Sequence, residues 1–492
     1  MDSFDPAQVG IPAGHFIDGK RVDADGTTLE VICPSSGRPY AELALACPDT
    51  VARAADGAWQ AFRRSGWATC APRERARVLR RFADLVESDV HTLAPLEAIG
   101  STRPVREAAG WDVPYTAECL RFYAEHADKH GGELAATDPS LLGMTITEPI
   151  GVVAAIAPWN FPLVMAIWKI APALAAGNAV VLKPSEMTPF SVLRLAELAI
   201  QAGVPANLFN VVQGDGKTTG DALVRHPRVG KVTFTGSTQT GAAIMTACAQ
   251  TGTKPVTLEL GGKSPQVVFA DVPDLDAVAR RIAMGITGNA GQVCNAGSRL
   301  VVESSVAEAL LEKLRAIFAS LKPGATWSAG TTLSPIVSHA QAHRIDALVA
   351  RARDAGANVY CGAERVSAHQ DGAWYAPTIL THIQTHAEIV REEVFGPVLT
   401  VQTFTSEAEA LQLAQHDDYA LAAGVHTANL GRAMRMMRGI DAGNVWVNRY
   451  GRSSDFVLPT GGFKRSGLGK DLGRQAFEAN LRSKSVLIDL NG

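Results

Sequence analysis

The sequence predicts an α/β protein of more than one domain. Three observations carry that reading. The chain has 492 residues, and a single core stops growing near about 250–300. From Met144 onward, short apolar, β-branched runs alternate with segments of helical spacing, the pattern of βαβ units and a parallel sheet. The composition, 47% hydrophobic and 19% charged, is that of a globular protein with ample core material.

The net charge of −3 gives no reason to expect nucleic acid or an anionic membrane as partner. Seven cysteines (Cys33, Cys47, Cys70, Cys119, Cys248, Cys294 and Cys361) are scattered, odd in number and without CxxC spacing, which argues for a reducing compartment and against a disulfide framework. The start, Met1-Asp2-Ser3-Phe4-Asp5, lacks the regions of a signal peptide, and Pro158 stops the apolar run from Ile150 well short of the roughly 18 residues of a membrane span. The expectation is a soluble, cytoplasmic protein.

In chain order, residues 15–45 read as short strands, with Asp18-Gly19 as a hairpin turn. Residues 49–128 carry helical spacing (Val78, Phe82, Leu85, Val86), interrupted at Ser101-Thr102-Arg103-Pro104. Strands are then expected at 151–157, 178–183, 208–212, 231–234 and 255–260. Helices fall between them at 168–176, 189–202 (stopped by Gly203), 218–225 and 239–250. A boundary at Gly261-Gly262 opens a second series. Its strands are 264–270, 299–303, 398–404, 421–426 and 443–447, and its helices 274–289, 306–320, 340–355, 406–415 and 430–437. The tail, Lys484 to Leu490, reads as an apolar strand that needs pairing in its own chain or in a neighbour.

Ligands of open α/β sheets bind beyond the carboxyl ends of strands. Those ends are Ala157-Pro158-Trp159-Asn160, Lys183-Pro184-Ser185-Glu186, Gly214-Asp215-Gly216 and Phe234-Thr235-Gly236-Ser237. Gly214, Gly216 and Gly220 give GxGxxxG, one residue longer than the dinucleotide fingerprint. Gly236-Ser237 opens a helix whose free N–H groups favour an anion. Each alone reads equally as an ordinary βα turn; together they suggest a nucleotide. Glu186 is either a loop acid or a carboxylate that binds both hydroxyls of a ribose and repels a 2′-phosphate. Glu259, on the apolar strand of Val256, Leu258 and Leu260, is either exposed on a polar face or buried as a general base. Asn160 is a loop residue or an oxyanion donor. Cys294, among small residues in Gly288-Asn289-Ala290-Gly291-Gln292-Val293-Cys294-Asn295, is a buried thiol or a nucleophile between a helix and a strand. The pairs His339/His343 and His382/His386 lack a third ligand, so no metal is expected.

These residues converge on a family. Over nearly its whole length the sequence resembles the aldehyde dehydrogenase superfamily. The matching motifs are Pro158-Trp159-Asn160-Phe161-Pro162, Lys183-Pro184-Ser185-Glu186, Phe234-Thr235-Gly236-Ser237, Leu258-Glu259-Leu260-Gly261-Gly262-Lys263, Gly291-Gln292-Val293-Cys294, Glu392-Glu393-Val394-Phe395-Gly396-Pro397 and Gly461-Gly462-Phe463-Lys464-Arg465-Ser466-Gly467. The resemblance implies that Cys294 is the nucleophile, Asn160 with the Cys294 N–H the oxyanion hole, Glu259 the base and Lys169 a proton-relay residue. It implies NAD, with NADP less favoured. Lys183, Ser185 and Glu186 would meet the ribose, Gly216, Gly236 and Ser237 the pyrophosphate side, and Glu393 and Phe395 the nicotinamide ribose and ring. Ile156, Ala157, Pro158, Trp159, Phe234, Leu260 and Gly261 would complete that site.

The resemblance also implies a Rossmann-like NAD-binding domain (1–126 and 148–260), an α/β catalytic domain (261–465) and a β-hairpin/C-terminal-strand arm (127–147 and 478–492). The arm would join homodimers or homotetramers by extending a partner's sheet. Departures bear on the substrate: Pro459-Thr460 stands where many members have Pro-Phe, and Gly288 where several carry a bulky aromatic. Both widen the tunnel toward a medium-sized, aromatic or functionalised aldehyde. Phe161, Met165, Trp168, Gly288, Val293, Asn295 and Arg452 are its expected walls. Arg452 would suit a substrate carboxylate, nearby Asp455 an amine, or both are solvated. The alternatives are a CoA-acylating semialdehyde dehydrogenase, which has no need of Glu259, and a non-catalytic binding or structural protein on the same fold.

Overall fold

Strands with apolar residues on both faces must be covered on both faces, and the two series of such strands form two separate sheets. In the computed structural model, which describes residues 1–23 and 27–491, the first sheet has eight strands. Their order is Lys20–Val22, His15–Ile17, Phe209–Val211, Ala179–Lys183, Val152–Ile156, Val229–Thr235, Val256–Glu259 and Gly467–Leu468. The central strands are parallel. Their register sets Ile156 beside Lys183 and Phe234, and Thr235 beside Glu259, so the carboxyl ends line up along one edge. Both outer edges are antiparallel, the first through Phe16 against Val211, the last through Leu468 against Leu258. The Gly467–Leu468 strand has no sequence period to reveal it.

The Asp18-Gly19 turn is as expected, with φ of 59° and 72° at its two central residues, the backbone of a type I′ hairpin. Gly203 ends its helix at φ 100°. Two helices differ from expectation. The one expected at 168–176 spans Pro162–Ala175, with proline at the first position. It is buried on nearly every side, so no polar face marks its start. The one expected at 218–225 is a π turn, Gly216–Gly220, followed by α-helix Asp221–Arg225. The Asp215 carboxylate caps that turn by accepting from Thr218 N–H at 2.6 Å.

The second sheet has seven strands, in the order Asn358–Cys361, Thr378–Thr381, Val398–Phe404, Arg299–Glu303, Pro265–Val268, Ala422–His426 and Asn444–Val447. The first two are not expected from the sequence: they are four residues each, and the outer one is half-exposed, so neither gives a long apolar run. Helices Leu275–Thr287 and Ser304–Ser320 pack on one face with Leu300, Val302 and Leu399, while Ala410, Ala414 and Met436 pack on the other with Val267, Val301 and Phe404.

The arm is a three-stranded antiparallel sheet, Glu133–Ala135, Leu141–Pro149 and Leu481–Asp489. The tail strand is not unpaired: its nine residues run against Leu141–Pro149 of the same chain. Of the two pairings expected for it, in its own chain or in a neighbour, the structure has the first. Among the described residues no helix is long and apolar enough to cross a membrane.

Arg299 is 2% exposed, yet it carries a charge into the second sheet. Its guanidinium donates to the carbonyls of Lys263 (2.8 Å), Leu413 (2.8 Å), Ala414 (2.9 Å) and Gln415 (3.2 Å), tying the segment after the first sheet to the C-terminal end of helix Glu407–Ala414. Arg299→Met should leave these carbonyls without donors and cost about 3 kcal/mol. A several-degree fall in the thermal unfolding midpoint checks this, and an unchanged midpoint would contradict it.

Candidate active site

The helix expected to run to Asn289 ends at Thr287. The next turn is left-handed: Asn289 has φ 48°, Ala290 φ 52° and Gly291 φ 71°. Outside glycine this conformation costs roughly 1–2 kcal/mol per residue, so the surroundings must hold it. Asn289 accepts from Thr102 Oγ1 (2.7 Å) and donates to the Asn160 carbonyl (2.9 Å). Gln292, fully buried, donates to the carbonyls of Asn289 (2.9 Å) and Pro335 (3.0 Å) and accepts from Val337 N–H (2.9 Å). Its own carbonyl takes the Asn160 side-chain amide at 3.0 Å. A Cβ on Gly291 would strike the Gly396 carbonyl. The turn therefore delivers Cys294 at a fixed place.

Glu259 arrives from the other side. It ends its strand 5% exposed, the buried alternative of the two readings. The chain then passes so close to the loop bearing Cys294 that a Cβ on Gly262 would lie 2.6 Å from the Cys294 carbonyl oxygen. Asn160, Gln292, Gly262 and Cys294 thus meet between the two sheets. Burial, first, and then the nearby carboxyls of Glu259 and Glu393 push the Cys294 thiol up to about 12; its own N–H and that of Asn295 oppose this. Burial also raises Glu259 well above the usual carboxylate range, reinforced by Asp471 and opposed by Lys169 and the Asp471 N–H, which donates to Glu259 at 3.3 Å. Lys169 is not at the thiol. It lies behind Glu259, its Nζ 3.0 Å from Asp471 Oδ2 and 3.4 Å from Thr233 Oγ1, both members of the ion pair buried. Sequence reasoning does not single out Asp471. Only its charge within Gly469-Lys470-Asp471-Leu472-Gly473, close behind the last motif, hints at it.

At the carboxyl edge of the first sheet, Lys183 Nζ donates to the carbonyls of Pro184 and Gly214, both at 2.7 Å, and lies 3.4 Å from Glu186. Burial lowers the Lys183 pKa, and Glu186 partly restores it. A cleft of about 100 Å³ opens beside it, lined by Ile156, Gly216, Phe234, Ile244 and Ala247 among others. A Cβ on Gly236 would collide with the Phe234 ring. Ser237 caps the 13-residue helix Thr238–Gln250, accepting from Thr240 N–H at 3.2 Å. The Ser185 hydroxyl accepts from Met187 N–H, and Ala157 N–H donates to the Lys183 carbonyl, so these two, with Pro158 between Ala157 and Trp159, shape the edge through the backbone. Leu260 N–H is taken by the Ser466 carbonyl.

Further along, Glu393 accepts from Gly262 N–H at 3.0 Å, and a Cβ on Gly261 would come within 2.5 Å of its carboxylate. Burial pushes Glu393 up to about 7. Phe395 meets Trp159 edge to face at 5.2 Å. An apolar slot, a capped helix start and a carboxylate beyond them, in that order, fit an extended dinucleotide.

Phe161 and Trp168 belong to an aromatic wall whose other members the sequence does not single out. Trp111 lies 6.0 Å from Phe161 and 4.6 Å from Tyr115, which lies 4.6 Å from Phe456. Two arginines back it. Arg103, paired with Asp112 (2.8 Å) and Glu107 (2.7 Å), sits 4.5 Å over Phe161. Arg452, half-buried, sits 5.5 Å over Trp168 and donates to the Leu458 carbonyl at 2.8 Å, so its charge has partners within the chain. Asp455 is exposed and accepts from the Ser453 hydroxyl. Met165 is buried in the first core. Gly288 opens onto a cleft of about 260 Å³ shared with Glu107 and Met284. Val293 packs toward the second sheet, and the Asn295 carbonyl accepts from Tyr450 OH at 2.7 Å.

Known proteins share both the sequence and the shape. Residues 21–486 match the aldehyde dehydrogenase family. The NADP/NAD-dependent aldehyde dehydrogenase PuuC of Escherichia coli is 41% identical over 476 residues, 96% of this chain and 95% of that protein. The aminoacetaldehyde dehydrogenase of Pseudomonas aeruginosa is 40% identical over 485 residues, 98% and 97% of the two chains. Among solved structures, the indole-3-acetaldehyde dehydrogenase AldA of P. syringae, in complex with NAD+ and IAA, superposes with a TM-score of 0.96 at 41% identity, covering 99% of this chain and 98% of that one. The left-handed turn bearing Cys294, the buried Glu259 and the strand-edge groove are therefore features of a chain that belongs to the aldehyde dehydrogenase family.

Proposed function

We propose that the protein oxidises an aldehyde to its carboxylic acid with NAD, through a thiohemiacetal and then a thioester on Cys294. The observation that carries this is that the Asn160 amide closes on the loop bearing Cys294 while the buried Glu259 carboxyl lies near enough to raise the thiol, three separate stretches of chain between the two sheets. The thiol must first lose its proton, and Glu259 in its ionised form is the base within reach. The thiolate attacks the carbonyl carbon, and the oxygen takes up negative charge. Asn160 Nδ2, released from the Gln292 carbonyl, and the Cys294 N–H hold that oxygen. Bound NAD supplies the hydride acceptor. Once the thiol's proton has left Glu259 for solvent, Glu259 takes a proton from water, whose oxygen attacks the thioester, and the acid leaves with the thiolate restored. Lys169 and Asp471, behind Glu259, set its charge, Asp471 raising its pKa and Lys169 lowering it.

The aromatic wall of Trp111, Tyr115, Phe161, Trp168 and Phe456 favours a medium-sized aromatic or functionalised aldehyde. The relatives named for aminoacetaldehyde and indole-3-acetaldehyde are in keeping with that class. Glu186, half-exposed beside Lys183, favours NAD over NADP. The arm leaves Leu134 (77% exposed), Leu487 (63%) and Leu490 (58%) bare, which supports a homodimer or homotetramer joined there.

Cys294→Ala should abolish turnover, by about a thousandfold or more, with NAD affinity kept. Glu259→Gln should keep a burst of NADH but slow steady turnover about a hundredfold or more. Because Glu259 is raised, the base forms only as pH climbs above the ordinary carboxylate range, so deacylation should rise with pH there and the Gln variant should lose that limb. Stopped-flow NADH absorbance across pH checks both; a rate that is flat in pH, or a lost burst, sinks this role. For the cofactor, kcat/KM should favour NAD over NADP by about tenfold or more, and parity in initial-rate assays would show that Glu186 does not set the preference. Light scattering after gel filtration should give a dimer or tetramer mass, and a monomer at micromolar concentration would count against the arm.

A further inference from the structure

We propose that Tyr450 is a positioning residue for the nucleophile: its hydroxyl holds the Asn295 carbonyl and so fixes the turn that presents the Cys294 sulfur to its own N–H and to that of Asn295. This rests on the reading of Cys294 as the nucleophile. A thiol enclosed away from water needs every donor near its sulfur to become a thiolate, and hydrogen bonds weaken steeply as their angle closes. Whatever fixes the turn therefore sets how much thiolate forms.

The sequence marks the place with glycines where glycine is unfavourable. Gly285 lies inside helix Leu275–Thr287, and Gly424 lies in the middle of strand Ala422–His426. Neither has a positive φ, so the backbone does not require glycine there; space does. A Cβ on Gly285 would lie 2.9 Å from both Tyr450 Cδ1 and Gln266 Nε2, and one on Gly424 would lie 2.6 Å from Tyr450 Cδ2. Strand Ala422–His426 runs between two others, its Gly424 in register with Gln266 on one side and Trp446 on the other. The Tyr450 ring thus fits one edge to a helix and the other to a strand, and meets Trp446 edge to face at 4.9 Å. It is 8% exposed. A ring held on both edges has one place for its hydroxyl, which donates to the Asn295 carbonyl at 2.7 Å.

Cys294 and Asn295 are the central residues of a turn that Ala296 N–H closes on the Val293 carbonyl at 2.9 Å. Upstream, the Gln292 carbonyl takes the Asn160 amide; downstream, Gly297 N–H donates to the Gly285 carbonyl at 2.9 Å. Tyr450 adds the tie to the turn's own central pair. The carbonyl and N–H of Asn295 are separated by one residue's two soft dihedrals, so pinning the first limits the swing of the second. The N–H groups of Cys294 and Asn295 are the ones that lower the thiol against burial and the carboxyls of Glu259 and Glu393.

A ring that only filled space would be replaced by phenylalanine without loss. Tyr450→Phe keeps the packing against Gly285 and Gly424 and removes the hydroxyl alone. The readout is alkylation of Cys294 by iodoacetamide across pH, followed by mass spectrometry of the peptide that carries it. In Tyr450→Phe the profile should move about half a pH unit or more toward higher pH. The NADH burst should slow about three- to tenfold, with NADH affinity by fluorescence and the KM for NAD unchanged. An alkylation profile that superimposes on the wild type, or an undiminished burst, overturns the role. If Tyr450→Phe loses NADH binding through misfolding, Gly285→Ala decides in its place. It favours its helix and crowds the ring, so its profile should move the same way, and an unmoved profile overturns the role. The wild type separates the two ideas. Turnover that survives full alkylation of Cys294 sinks the nucleophile reading; turnover that ends with alkylation, beside an unmoved profile in Tyr450→Phe, sinks only the positioning role.

Discussion

Two hydrogen bonds hold the site together, both made by Asn160. Its carbonyl accepts from the side chain of Asn289, and its own side chain donates to the carbonyl of Gln292. Asn160 leaves the first sheet, whereas Asn289 and Gln292 bracket the left-handed turn that leads into the second. The strained turn is tolerable because Gln292 has its amide satisfied on both sides and because Thr102 fixes Asn289. The pair of bonds therefore sets the distance between an edge shaped for a dinucleotide and a loop that presents a thiol.

The electrostatics follow from that enclosure. Taking Cys294, Glu259 and Glu393 out of water raises all three, and each ionised carboxyl would make the thiolate harder to form. The buried Lys169–Asp471 pair lies on the opposite side of Glu259 and pulls both ways: Asp471 raises it, Lys169 lowers it. Enclosure thus disfavours charge on all three groups, while the Lys169–Asp471 ion pair lies one layer back.

Much of the fold is legible in the sequence because continuous apolar strands and their helices carry strong periodicity, and the Asp18-Gly19 turn and Gly203 cap are local chemistry. The motif residues can be placed at strand ends for the same reason. What is not legible depends on long-range neighbours. Asp471, Trp111, Tyr115 and Phe456 come from distant stretches that only the tertiary fold unites. The pairing of the tail strand stays open between its own chain and a neighbour in the sequence, because an apolar period does not name its partner. Arg452 shows its charge in the sequence but not the Trp168 ring that occupies it.

The order in which the chain is made gives the late-arriving pieces a particular weight. Gly467–Leu468 closes the last edge of the first sheet, Asp471 neutralises Lys169, and Leu481–Asp489 completes the arm. All three are synthesised after every other strand of the two large sheets. Until they emerge, a growing chain holds Lys169 on an apolar helix with no counter-charge, and Glu259 has neither its backbone donor nor its neighbouring strand. The surroundings of Glu259 and the three-stranded sheet are therefore finished by the same stretch of chain, so a product cut before it lacks both at once.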